Sequence, residues 1–246
     1  LHTAYRRQRQ MCIRDSFTPE GAAALSYLQG RGLNAKIIRH FGLGCAPNRW
    51  DGLLRHMRQK GYSEAELVNA NLARRSDKNG RTSCYDNFRN RMMIPIIDLR
   101  GNVIAFGGRV LDDAKPKYVN TSDTLVYKKS QAIFALNFAK SANQGKLILA
   151  EGYMDVIAYH QAGFTNAVAC LGTALTREQA RLLARYADEV ILSYDADGAG
   201  QEATRRAIGI FNEIGMKLRV LRLSGGKDPD EILRQYGPDR LRDLLE

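Results

Sequence analysis

Glu151, Asp195, Asp197, Asp228 and Asp230 are five carboxylates whose spacing could support metal chemistry. Asp195 and Asp197 are two apart, so in an extended segment they share one side and Ala196 turns away. Glu151 ends the apolar run 146–151 and Asp195 follows the apolar run 189–194, each of the length and composition of a strand buried on both faces of a parallel sheet. Parallel sheets bind their ligands beyond the carboxyl ends of the strands, which is where both carboxylates would stand. Asp228 and Asp230 follow a fourth run. Five carboxylates gathered in one crevice require a counter-charge, and hard divalent ions with oxygen ligands, Mg²⁺ or Mn²⁺, are the natural one. A site of that kind binds triphosphates through metal.

Other readings compete at the same residues. Asp228, Pro229 and Glu231 also make a good N-cap, N1 and N3 set, so a plain helix start accounts for Asp228 equally well. Asp195-Ala196-Asp197-Gly198 fails as an EF-hand loop, because positions five and twelve would be Ala199 and Arg206 where oxygen ligands are needed. Gly198-Ala-Gly200-Gln-Glu-Ala203 matches the short dinucleotide-binding pattern, but two aspartates before it would repel a pyrophosphate, and no acidic ribose ligand closes the next strand. There is no GxxxxGK[ST] segment.

The elements that must position these residues alternate regularly. Strands over 146–151, 167–171, 189–194 and 218–223 are separated by helices over 153–162, 176–187 and 199–214, with a last helix opening at 228–231. Thr176 and Gln179 form a capping box for the second of these helices. This pattern predicts a compact parallel sheet with helices on its faces. The preceding half reads differently: short amphipathic helices over 19–28, 35–41, 50–60 and 63–70, then a hairpin of 93–98 and 102–106 turning at Leu99-Arg100-Gly101. It is expected to be an α+β domain over 17–143, with the α/β domain over 144–246. Residues 1–16 lack apolar periodicity and are expected to be frayed or foreign to the fold.

The two halves differ in charge. Residues 1–146 hold 25 Lys and Arg against 11 Asp and Glu, net +14, while 147–246 hold 12 against 15, net −3. A basic body beside an acidic partner suits a polyanion and divalent cations, hence nucleic acid plus metal, although a solvated basic surface would have the same count. Cys12, Cys45, Cys84 and Cys170 are scattered without a CxxC pair, so neither a zinc ribbon nor a disulfide framework is expected, and a reducing cytoplasm fits. No apolar run approaches the roughly 18 residues of a membrane span.

Glu151-Gly-Tyr-Met-Asp155 together with Asp195-Ala-Asp197 resembles the Toprim domain of topoisomerases, primases and some nucleases. Arg89-Asn-Arg91-Met-Met-Ile-Pro-Ile, Ala105-Phe-Gly-Gly-Arg109, Lys115-Pro-Lys117-Tyr118, Tyr127-Lys-Lys129 and Lys227-Asp-Pro-Asp230 are similar to segments of the bacterial replicative DNA primases, in the same order. The likeness runs from about residue 17 to 246. It implies an RNA polymerase core that copies single-stranded DNA into short RNA primers from ribonucleoside triphosphates, by metal-dependent nucleotidyl transfer at the replication fork. It implies Glu151, Asp195, Asp197, Asp228 and Asp230 as ligands of Mg²⁺ or Mn²⁺, with Glu151, Asp195 and Asp197 catalytic and Asp155 an acid behind the ligands. It further implies Lys117 and Lys129 facing the nucleotide or the primer-template, and Arg91 and Arg109 holding phosphates. The family's amino-terminal zinc-binding domain and its carboxyl-terminal domain, which engages the replicative helicase, have no counterpart in this sequence. The rival readings are another Toprim enzyme, such as a phage-type primase or a nuclease, and a non-catalytic nucleic-acid-binding module.

Overall fold

The computed structural model describes residues 2–15, 19–78, 81–142, 145–172, 174–221 and 228–245. Lys227 and the end of the expected fourth strand, Leu223, lie outside the described residues. The chain forms two compact units: one from residues 1–31, 38–97 and 101–128, the other from 32–37, 98–100 and 129–246.

In the first unit α1 (His2–Asp15), a 3-10 turn (Pro19–Gly21), α2 (Ala22–Gly30) and α3 (Ala35–Phe41, shared at its start with the other unit) precede β1 (Gly44–Ala46). Then come α4 (Gly52–Gln59), α5 (Glu64–Asn69), the hairpin β2 (Ala73–Lys78) and β3 (Arg81–Asp86), and β4 (Arg91–Ile97), β5 (Val103–Val110) and β6 (Tyr118–Asn120). The antiparallel sheet runs β1-β4-β5-β6, with Met93 opposite Gly44 on one side and Gly108 on the other. β4 and β5 are apolar along nearly their whole length because both faces are covered. One face packs Met93, Val103 and Phe106 against Leu53, Leu54 and Met57 of α4 and Leu67 of α5. Ser63 caps α5 by accepting the Glu66 N–H while the Glu66 carboxylate accepts the Ser63 N–H.

Two expectations are corrected. Residues 2–15 are a helix and not a frayed end: Tyr5 and Cys12 enter the core, and the Tyr5 hydroxyl donates to the Ala70 carbonyl at 2.7 Å. Its apolar residues are too sparse to show as a periodicity, but Ala4, Tyr5 and Cys12 are buried among residues remote in sequence. The β2–β3 hairpin was not expected either, since ARRSDK and RTSCYD carry almost no apolar alternation.

The second unit continues with β7 (Ile133–Phe134), α6 (Leu136–Ala139), β8 (Lys146–Ala150), α7 (Tyr153–Gln161) and β9 (Ala167–Cys170). It ends with α8 (Arg177–Leu183), β10 (Glu189–Ser193), α9 (Gly198–Glu213), β11 (Lys217–Val220) and α10 (Pro229–Leu245), the last broken at Gly237, whose φ is +79°. The sheet order is β11-β10-β8-β9-β7, parallel except for β7. Leu147, Leu149, Val168, Val190 and Leu192 alternate onto one face and pack against Ala180, Leu183, Ala207 and Phe211 of α8 and α9. The helices and strands of the expected β-α-β series are all present, and the Thr176–Gln179 capping box is formed. Pairing of β7 with β9 draws residues 129–142 into this compact unit. Gln179, fully buried, fixes that segment by donating to the carbonyls of Lys129 and Ala132, both at 2.9 Å.

Candidate active site and nucleic-acid interface

The register of β8 and β10 pairs Ala150 with Ser193, so the chain leaves both strands at one edge and Glu151 and the Asp195 loop emerge side by side. The Asp195 N–H donates to the Glu151 carboxylate at 3.1 Å. Asp197 is the N-cap of α9, accepting the Gly200 N–H at 2.8 Å, and its side chain remains exposed. Gly200 itself is a residue that the sequence reading left unused. A Cβ there would lie 2.1 Å from the Asp195 carbonyl oxygen, so only glycine lets α9 approach the aspartate loop.

Asp155, in the first turn of α7, accepts the Gly152 N–H at 3.0 Å. Its carboxyl is pushed up to about 8 by burial and, after that, by the charges of Asp195 and Asp228, with Asp230 adding to them. Asp155 therefore has acidic neighbours from the loop after β10 and from the start of α10. Asp228 caps α10 by accepting the Glu231 N–H at 2.7 Å, so the helix-start reading of this residue holds alongside its place in the cluster. Asp230 is buried, 3.5 Å from Arg234. Among the described residues no three carboxylate, imidazole or thiol side chains stand at metal-ligand spacing. The fit to a divalent cation therefore rests on donor chemistry: oxygen donors alone, around a buried Asp155 whose carboxyl is raised first by burial and then by like charges.

The basic residues of the first unit fall into two groups. A cleft of about 470 Å³ is lined by Arg74, Tyr85, Arg89, Arg91 and Lys115, with Asp112 at its rim. Arg91 is nine-tenths buried, and its guanidinium donates to the carbonyls of Gly108 (3.1 Å) and Pro116 (3.2 Å). These bonds brace the wall of the cleft that Arg91 itself lines. Arg74 is oriented by Asn87, whose amide in turn donates to the Asn71 carbonyl at 2.8 Å. Lys115 lines the cleft, and Lys117, exposed, is not among its lining residues. Arg109 lies over the rings of Tyr27 (4.5 Å) and Tyr118 (5.7 Å) and donates to the Tyr27 hydroxyl. In the second unit, Lys129 is partly buried and its carbonyl is held by Gln179.

Trp50, the single tryptophan, is 58% exposed and stacks on Tyr85 at 4.6 Å between centroids, 24° between planes. The Arg89 guanidinium lies 4.7 Å from the Trp50 ring and 4.9 Å from the Tyr85 ring. An exposed aromatic face with a cation beside it, next to a basic cleft, is the chemistry of a single-strand binding platform. Sequence spacing hides it, because the three residues sit on different segments.

A family model described as DNA primase catalytic core, N-terminal domain matches residues 13–140, and one described as Toprim-like matches 148–233. A DNA primase of Clostridium acetobutylicum is 49% identical over 224 residues, covering 91% of this chain and 37% of that protein. One of Deinococcus radiodurans is 51% identical over 227 residues, covering 90% and 39%. The chain thus spans less than two fifths of the length of these curated relatives. Among solved structures, the Escherichia coli primase catalytic core superposes with a TM-score of 0.90 at 35% identity, over 99% of this chain and 79% of that one. A DnaG primase catalytic domain bound to single-stranded DNA gives 0.90 at 35%, over 99% and 77%. With its first unit matched by the one model, its carboxylate edge by the other, and both in the order found in the solved cores, the chain belongs to the DNA primase catalytic core family, with a Toprim-like domain as its second part.

Proposed function

We propose that this chain carries the nucleotidyl-transfer site of a DNA primase, joining ribonucleotides into a short RNA primer on a single-stranded DNA template. The observation that carries this reading is the group of carboxylates around Asp155 at the carboxyl end of the parallel sheet, in a chain of this family. Glu151, Asp195, Asp197, Asp228 and Asp230 would hold Mg²⁺ or Mn²⁺, which when bound neutralises the triphosphate and favours the ionised primer 3′-hydroxyl. The chain's own contribution is positioning. Glu151 holds the Asp195 backbone through its N–H, Asp197 and Gly200 lock the loop onto α9, and Asp155 fixes the turn that follows Glu151. No covalent enzyme intermediate is required, since the 3′-hydroxyl displaces pyrophosphate from the α-phosphorus directly.

The template reading is supported by the basic cleft, by the Trp50–Tyr85–Arg89 stack and by the relative solved with single-stranded DNA. Arg74, Arg89, Arg109 and Lys115 would meet phosphates, and Lys117 and Lys129 the nucleotide or primer-template. In the longer relatives the replicative helicase would be engaged by segments beyond this chain, and the activity belongs at the replication fork in the cytoplasm. No helix among the described residues is long and apolar enough to cross a membrane.

Incorporation of labelled ribonucleotides on single-stranded DNA, with and without Mg²⁺ or Mn²⁺, tests the proposal. Metal-dependent RNA product is expected. Cleavage of the template would favour a Toprim nuclease, and binding without either product a non-catalytic module.

A further inference from the structure

Asp86 is 4% exposed, an unusual place for a carboxylate, and it has no lysine or arginine side chain paired with its oxygens among the ion pairs of the described residues. Its Oδ2 accepts the Leu53 N–H at 2.7 Å and its Oδ1 the Leu54 N–H at 2.9 Å. These are the first-turn amides of α4, which has no cap from its own flanking residue: Asp51 makes no side-chain capping bond. The helix is therefore capped from the end of β3. The backbone of the same residue reaches the other side of the structure: the Asp86 N–H donates to the Trp50 carbonyl at 2.9 Å, and Arg89 donates to the Asp86 carbonyl. Trp50 lies three residues before the first capped amide, and Tyr85 precedes Asp86 directly.

We propose that Asp86 is the positioning residue of the Trp50–Tyr85–Arg89 stack, setting the orientation in which that face meets a single strand. All three stack members are attached to it: Trp50 through its carbonyl and the start of α4, Arg89 through its guanidinium, Tyr85 through the peptide bond. A carboxylate is needed because two N–H donors must be accepted by two oxygens; an asparagine offers one oxygen and turns an N–H donor toward the second amide. Losing an acceptor releases the first turn of α4 and with it the backbone that aims Trp50. The role of the stack in strand binding rests on the template reading above, whereas the positioning of Trp50 by Asp86 is a property of the protein without nucleic acid.

The single tryptophan makes the test direct. Asp86→Asn and Asp86→Glu are compared with the wild type and with Asp112→Asn, a control at the cleft rim, by acrylamide quenching of Trp50 emission and by titration with oligo(dT). In Asp86→Asn the quenching constant is expected to rise about twofold and oligo(dT) affinity to fall about fivefold. Asp86→Glu, which keeps both acceptors, should recover part of each. Asp112→Asn should leave the quenching constant unchanged. If Asp86→Asn folds with Trp50 as shielded as in the wild type, or if both Asp86 variants fail to fold, Asp86 is a fold cap alone and the proposal is overturned. If Trp50 quenching changes while oligo(dT) affinity does not, the positioning stands and the template reading of the stack falls.

Discussion

Gly200 lies against the backbone of Asp195: a Cβ on the glycine would be 2.1 Å from the aspartate's carbonyl oxygen. Neither side is the mobile end of a side chain, so the clash is relieved only by moving α9 or the loop that carries Asp195 and Asp197. Gly200→Ala should destabilise the chain by about 1–3 kcal/mol and cut metal-dependent ribonucleotide incorporation more than tenfold, while oligo(dT) binding is retained. Unfolding curves and turnover on the same preparation check it; full activity would show that the loop's position is unimportant.

Asp195→Asn and Asp197→Asn should each abolish incorporation and leave the fold intact. Asparagine caps helices about as well as aspartate, so the bond from Asp197 to the Gly200 N–H survives in the second variant. Asp197→Ala should lose that cap as well, at about 1 kcal/mol. Normal turnover in both Asn variants would remove these aspartates from the site.

Lys115 lines the cleft and Lys117 does not. Lys115→Ala should weaken single-strand binding more than nucleotide incorporation, and Lys117→Ala the reverse. Parallel losses in both quantities for both variants would instead indicate one diffuse phosphate-binding surface.

Single-strand binding should fall steeply with salt. A cleft that meets about four phosphates releases counterions with a log-log slope near −3. Filter binding between low and physiological salt measures it, and a flat dependence would mean that stacking on Trp50 dominates.

Burial pushes the Asp86 carboxyl up to about 6, opposed by the two α4 amides. A carboxyl raised above its unfolded value binds its proton more tightly when folded. Its stabilising contribution is complete below about pH 4 and is lost as pH rises through 6. The shift from 3.8 bounds the effect at about 3 kcal/mol. Unfolding free energies of wild type minus Asp86→Asn should therefore decline between pH 4 and pH 6 and stay level above it.

The parallel sheet was legible because β8, β9 and β10 are buried past their first residues and are apolar along most of their length, and because Thr176 and Gln179 announce a helix within four residues. The carboxylate edge followed from strand ends alone. What stayed hidden was whatever depends on remote partners. α4 is capped from β3, the stack joins three segments, and Arg91 meets backbone carbonyls that no spacing could announce. The β2–β3 hairpin stayed hidden because Ala73–Lys78 and Arg81–Asp86 are mostly polar.

The two ends of the strands in the second sheet differ in charge: cations and carboxylates are paired at one end, and carboxylates gather at the other. β8 and β11 begin on Lys146 and Lys217, and Lys146 and Arg219 both face Glu189 at 3.4 and 3.9 Å, while at the other end the chain leaves β8 and β10 into Glu151 and Asp195. Glu151 and Asp195 thus leave the closing end of the strands locally negative, an end that draws small cations and turns an approaching polyanion away. Phosphates would gain access to that end only in company with the cations they bring.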